Sequence, residues 1–263
     1  MMAAIHRAYV TAAGCQIHYR QAGPDGARSP LLLIHPSPSS SLVYEPLMAE
    51  MGKDRLVIAP DLPGHGMSDV PPEAPAIAEY AATLLALEAT LGLGLFDIMG
   101  YHTGGMIAAE MARQQQAAVR KIVMISAFLF TAEERARMKD RAGSHGVDER
   151  AAGFGHGWQN FKTHFWRMGN DEVRTWNLYI EAQRNPATSS WGLQAAADYD
   201  LAATLGGLPQ PVLLLNPEDE VRPQTSRAIL RNGKVHDLPG WTHGFVDSKA
   251  AETAKIVRDF LDN

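Results

Sequence analysis

The 263-residue chain has one cysteine, Cys15, so no internal disulfide can form and a reducing compartment is expected. In the strand-like run Cys-Gln-Ile-His-Tyr this lone thiol reads as packing rather than chemistry. No apolar run approaches the roughly 20 residues needed to span a bilayer. The opening Met-Met-Ala-Ala-Ile-His-Arg lacks a basic region followed by an apolar one, so no signal peptide is expected. Basic runs are missing as well. With 24 Lys+Arg against 29 Asp+Glu the net charge is −5, which argues against nucleic acid as the main ligand. There is no internal repeat or low-complexity tract. What these absences leave is a soluble, cytoplasmic globular protein that acts on a small molecule and has no membrane or nucleic-acid partner. A homodimer stays open.

What is present is a large apolar fraction, 46%, enough for a substantial core. Ile5 to Thr11 and Gln16 to Gln21 alternate around Ala-Ala-Gly and predict a hairpin. Four short apolar runs bounded by turn residues then read as buried parallel strands: 30–34, 55–59, 95–99 and 121–125. Helical stretches lie between them at 42–51, 77–91 and 105–119. Alternating strands and helices imply a doubly wound α/β sheet. From about Thr131 to Leu208 strand-like runs vanish and Trp158, Phe161, Phe165, Trp166, Trp176, Tyr179, Trp191 and Tyr199 gather among helical segments. The α/β pattern resumes with a strand at 211–215, a helix near Thr225 to Arg231, a strand near Val235 and a final helix from Val246 to Leu261. The expected organisation is a core of 1–130 and 209–263 with an inserted helical lid at 131–208. Most of the lid aromatics should pack helices together. Trp158, Trp166 and Trp191 are the candidates to face a cleft.

The stretch Phe96-Asp-Ile-Met-Gly-Tyr-His-Thr-Gly-Gly-Met-Ile-Ala-Ala-Glu-Met-Ala112 joins an apolar strand to an apolar helix through a glycine-bracketed turn. That layout presents a nucleophilic serine when it reads Gly-x-Ser-x-Gly; here His102 holds the central position. A sharp strand-to-helix turn forces its central residue into a strained conformation and makes its side chain stand out from the sheet. Gly100 and Gly104 let strand and helix backbones approach closely.

Downstream, Asn216-Pro-Glu-Asp-Glu-Val-Arg-Pro223 follows a strand, where an acid can orient a base. Asp219 is favoured because a short carboxylate at a strand end is held more firmly than Glu218 or Glu220. His243, in Leu238-Pro-Gly-Trp-Thr-His-Gly-Phe245, precedes the last helix and is the candidate base. After the first long strand, His35-Pro-Ser-Pro-Ser-Ser40 forms a turn whose free amides could stabilise an oxyanion. Pro36 and Pro38 have no N–H, so the Ser37 amide is the available donor there, and the Thr103 amide is the second. His35 itself reads as a hydrogen-bonded strand-end residue.

In this order, His35-Pro-Ser-Pro, Asp61-Leu-Pro-Gly-His-Gly-Met-Ser-Asp69, the Gly100 to Gly104 turn, Asp219 and His243 resemble the α/β-hydrolase superfamily over nearly the whole chain. The resemblance implies a mostly parallel eight-stranded sheet with a helical lid after the sixth strand. It also implies the order nucleophile, acid, base, which falls on His102, Asp219 and His243. The departure is at the nucleophile.

A neutral imidazole has a lone pair and an ordinary pKa of about 6.5, so His102 can attack a carbonyl without first losing a proton. An acyl-imidazole would form, and His243, oriented by Asp219, would activate the water that hydrolyses it. The expected function is hydrolysis of a small to medium, partly apolar carbonyl compound, an ester above all, with no cofactor. Two alternatives stay open. His102 and His243 could form a non-covalent acid–base pair for lyase or C–C cleavage chemistry, or the pocket could bind a small ligand without catalysis. Two histidines and a carboxylate also match a metal triad in kind, but Asp219 should be occupied by His243, and no metal is expected.

Overall fold

The computed structural model describes residues 3–26, 28–141, 147–166, 169–219 and 227–263, the side chains of 139–141, 147–150 and 164–166 excepted. The hairpin forms from β1 (Ile5–Ala12) and β2 (Cys15–Ala22), paired antiparallel through a turn at Ala13 and Gly14. The following strands are β3 (Leu31–Ile34), β4 (Val57–Pro60), β5 (Phe96–Tyr101), β6 (Val119–Ile125), β7 (Val212–Pro217) and β8 (Gly233–Leu238). They make one eight-stranded sheet in the order β1-β2-β4-β3-β5-β6-β7-β8. All pairings from β4 to β8 are parallel, and β2 joins β4 antiparallel.

The central strands are continuously apolar because both faces of the sheet are covered. In β3, Leu32 and Ile34 enter one core with Leu84 of α2 (Ile77–Leu91) and Ile107 of α3 (Thr103–Gln114). Leu31 and Leu33 enter the other with Leu47 of α1 (Glu45–Met51), together with Val257 near the C-terminus. Helix α3 is buried from Thr103 through Ala112, which explains its nearly uninterrupted small and apolar sequence.

Two expected helix boundaries move. The stretch expected to be helical at 105–119 stops at Gln114, and Val119 already opens β6. The polar Gln114-Gln115-Gln116 run offers the helix no buried face there. The expected helix at 42–51 begins as a 3-10 turn, Ser41–Tyr44, and becomes α1 at Glu45, with Pro46 at its start, where a missing N–H costs nothing.

Among the described residues, five helices separate β6 from β7: α4 (Ala132–Arg141), α5 (Val147–Trp166), α6 (Glu172–Ala182), α7 (Trp191–Asp198) and α8 (Leu201–Gly207). Arg174 of α6 ties this segment to the sheet domain. It donates to Asp247 at 2.9 Å, Glu45 at 3.1 Å and the Leu42 carbonyl at 2.7 Å. On the far side, Asn185 Nδ2 donates to the Gly64 carbonyl at 3.1 Å. The chain closes with α9 (Phe245–Ser248) and α10 (Ala250–Leu261). The final helix expected from Val246 is thus broken at Lys249. Among the described residues no helix is long and apolar enough to cross a membrane.

Candidate active site

Parallel register brings the carboxyl ends of the central strands to one edge. Ile34 lies opposite Gly100, Tyr101 opposite Ile125, and Ile125 opposite Leu215. His35, His102 and Ser126 therefore follow the ends of their strands within a residue of one another, where ligands bind in open α/β sheets.

His102 is the residue between β5 and α3, with φ 49° and ψ −112°. Its N–H donates to the Ile125 carbonyl at 3.1 Å, and its own carbonyl accepts from Gly105 N at 2.8 Å. The turn is tight enough that the glycines around it are obligatory. A Cβ on Gly100 would lie 2.2 Å from the Gly104 carbonyl oxygen, and one on Gly104 would lie 2.1 Å from that of Ile34. The His102 ring is flanked by Tyr101 at a centroid distance of 4.5 Å, Phe128 at 4.4 Å and His243 at 4.8 Å.

His243 reaches Asp219 through Nδ1, 2.7 Å from Oδ1, and its backbone N–H points to the other carboxylate oxygen at 3.4 Å. The Nε2 atom lies 3.1 Å from the hydroxyl of Ser126. The backbone carbonyl of His243 accepts from the Tyr101 hydroxyl at 3.0 Å, and the two rings are nearly parallel at 3°. Of the alternative acids, Glu218 is engaged elsewhere: its carboxylate accepts the Gly240 N–H, which braces the loop carrying His243. Glu220 lies outside the described residues.

A cavity of about 360 Å³ opens over this group, lined by His102, His243, Tyr101, Ser37, Ser39, Phe161, Leu178, Gln183 and neighbouring apolar side chains. That size suits a small ligand. Its wall from the segment between β6 and β7 differs from the expected tryptophans. Trp158 packs edge-on to Trp176 at 5.1 Å and beside Tyr179 at 5.5 Å, and Trp191 covers Gly64, where an added Cβ would meet its ring at 3.0 Å. Trp158 thus packs among helices and Trp191 against the loop after β4, and the wall is built instead by Phe161 of α5, Leu178 and Ala182 of α6, and Gln183 just after it. The Trp166 side chain lies outside the described residues.

Ser37 lines the cavity and Thr103 is the buried first residue of α3. The Ser37 hydroxyl is 2.7 Å from His65 Nε2, and His65 Nδ1 is 3.1 Å from the Pro63 carbonyl. A carbonyl can only accept, so Nδ1 carries the proton and Ser37 donates to Nε2. Burial drives the His65 pKa down to about 4, with the neighbouring His35 adding to the shift. His35 is likewise lowered by burial. It accepts from Leu62 N at 2.9 Å and pairs with the Pro36 carbonyl at 2.8 Å, the strand-end role expected of it. Beneath this pair, buried Asp61 accepts from Met67 N and Ser41 N and pairs with His18 at 2.8 Å. Burial alone would raise its carboxyl, but these hydrogen bonds outweigh it and hold the group well below the usual range. The Asp61 to Asp69 segment thus frames the site without entering it. Cys15, expected to serve packing, is half-buried in β2 with Sγ 3.7 Å from the Asp69 carbonyl.

Several residues of this site were not legible in the sequence. Tyr101 and Ser126 look like ordinary strand-end residues until register sets them against His243, and Phe161, Leu178 and Gln183 lie on or just after helices whose orientation no local pattern fixes.

Residues 29–245 match the family model for the alpha/beta hydrolase fold. The chain belongs to that family. An uncharacterized Mycobacterium tuberculosis protein is 33% identical over 102 residues, 39% of this chain and 30% of that protein; this chain therefore matches only about a third of the length of that relative. A bifunctional esterase/perhydrolase of Acinetobacter calcoaceticus is 26% identical over 96% of this chain and 99% of its own. Among solved structures, an esterase from Thermogutta terrifontis superposes with a TM-score of 0.80 at 20% identity, covering 98% of both chains. At that identity the likeness speaks to the fold. Among the described residues, no group of three or more His, Cys, Asp or Glu side chains could hold a metal ion.

Proposed function

We propose that this protein is a hydrolase of small, partly apolar carbonyl compounds, esters above all, in which His102 takes the place of the usual nucleophile. The observation that carries the reading is the pairing of His102 and His243 across one cavity, rings 4.8 Å apart, with His243 held by Asp219 at 2.7 Å. A lone histidine at a turn would have no such counterpart. The whole-length similarity to an esterase/perhydrolase agrees with hydrolysis.

An imidazole nitrogen of His102 attacks the carbonyl carbon, and the tetrahedral oxyanion is received by the amides of Ser37 and Thr103. The alcohol departs with the proton of the other His102 ring nitrogen, leaving a neutral acyl-imidazole. Water then attacks, giving one proton to His243 Nε2. The intermediate collapses, the C–N bond breaks, His243 returns its proton to the leaving His102 nitrogen, and proton exchange with solvent returns His102 to its starting tautomer. Asp219 fixes the tautomer and stabilises the imidazolium that forms in between. Helices α4 to α8 act as the lid that supplies the apolar wall of the cavity.

The same pair supports a second reading, non-covalent acid–base chemistry at a carbon beside a carbonyl, because two imidazoles this close disfavour double protonation. A p-nitrophenyl ester panel with wild type, His102→Ala and His102→Ser separates them. The nucleophile reading expects hydrolysis to fall by about 10²-fold or more in His102→Ala. Equal turnover of a true ester substrate by His102→Ala overturns it.

A further inference from the structure

Among the described residues, three non-glycine residues adopt a left-handed backbone: Ala13 in the hairpin turn, His102 and Ser126. Two of the three therefore meet in the active site. Ser126 follows β6 directly, has φ 57°, is fully buried, and anchors its N–H on the Leu215 carbonyl at 3.1 Å. A serine has no conformational preference for this region, and such strain persists where the surroundings dictate it, commonly at functional sites. Its hydroxyl is aimed at Nε2 of His243.

We infer that Ser126 is a positioning residue for His243, and the inference rests on the proposed hydrolytic cycle. With Nδ1–H directed to Asp219, the neutral ring presents a lone pair at Nε2, and the Ser126 hydroxyl donates to it. In deacylation the attacking water displaces the Ser126 hydroxyl from the Nε2 lone pair and gives it a proton; Nε2–H is then a donor, and the Ser126 oxygen, its hydroxyl rotated away, accepts. One side chain thus satisfies His243 in both protonation states, so the ring need not turn between them. The left-handed backbone is what swings Cβ of Ser126 off the line of β6 toward the histidine. Asp219 alone holds one edge of the ring; Ser126 holds the opposite edge, and the imidazole is pinned at both nitrogens.

This arrangement bears on deacylation, the step in which His243 gains and returns a proton. The test is rapid-quench intact-mass analysis of Ser126→Ala and Ser126→Gly with an activated ester, alongside 15N NMR of the His243 ring in the resting protein. Ser126→Ala removes the hydroxyl and keeps the backbone restraint, whereas Ser126→Gly removes both. The expected result is that both variants lose about tenfold or more in kcat with little change in KM. Acyl-protein should accumulate beyond the wild-type level, and the His243 Nε2 resonance should shift in both. Unchanged turnover in both variants, a loss confined to Ser126→Ala, or an unshifted Nε2 resonance would overturn the inference. An acyl group found on Ser126 itself would overturn it as well, because the residue would then be a nucleophile. The NMR arm needs no chemistry at His102, so failure of the His102 mechanism and failure of the Ser126 role are read separately.

Discussion

His102 and Ser126 stand side by side at the ends of neighbouring parallel strands, each in a left-handed backbone, because Tyr101 and Ile125 before them are in register. Both side chains are thereby turned toward His243 from adjacent strands. The strain at each position is a local cost of order 1–3 kcal/mol. Glycine relieves it, so His102→Gly should fold at least as stably as wild type, by up to about 1 kcal/mol, while losing ester hydrolysis. Thermal melts paired with an activity assay check this, and a large loss of stability would contradict it.

Asp219→Asn should retain the fold, since the carboxylate is partly exposed and both its oxygens face His243. Without the negative charge the imidazolium is not stabilised and the tautomer is not fixed. The expected loss in kcat is about 10²–10⁴-fold, measured on the ester turned over best by wild type. Glu218→Gln, which touches the Gly240 amide instead, should cost far less.

His65 gives stability a distinct pH dependence. Its folded pKa, near 4, lies below its ordinary value of 6.5, so between these pH values the unfolded chain binds more protons and stability rises with pH. The folded state is therefore favoured above pH 6.5 and loses about 3 kcal/mol as pH falls toward 4. Asp61 acts in a lower window, since its depressed carboxyl withdraws stability only below its ordinary value of 3.8. Denaturant titrations of wild type and His65→Gln from pH 7 to 4 should converge as the pH falls, and parallel curves would contradict the assignment.

Gly104→Ala would put a methyl group 2.1 Å from the Ile34 carbonyl oxygen. Backbone cannot yield as a flexible side chain does, so the variant should lose more than about 3 kcal/mol or fail to fold. Arg174→Met removes three hydrogen bonds and leaves the half-buried Asp247 without its cation. It should lower stability by about 2 kcal/mol.

Much of this architecture was legible from local pattern. The apolar runs at β3 and β5 announce strands buried on both faces, and the glycine-bracketed turn announces a close strand-to-helix approach. Asp219 and His243 follow from their places after β7 and before the last helices. Side-chain partners across the sheet were not legible, because register is a property of two strands together. Nothing in Val-Met-Ile-Ser126 alone says that its serine meets a histidine 117 residues away. The aromatic segment misled for a related reason. Trp158 and Trp191 are large enough to line a cleft, yet they pack on Trp176 and Gly64, and the wall falls to Phe161, Leu178 and Gln183.

The nucleophile itself is tested most directly by peptide mass mapping of His243→Ala, quenched during turnover of an activated p-nitrophenyl ester. With the base removed, acylation proceeds and deacylation stalls, so the acyl mass should sit on the peptide carrying His102. An acyl group on Ser37 or Ser126, or no adduct together with full activity in His102→Ala, would contradict the account.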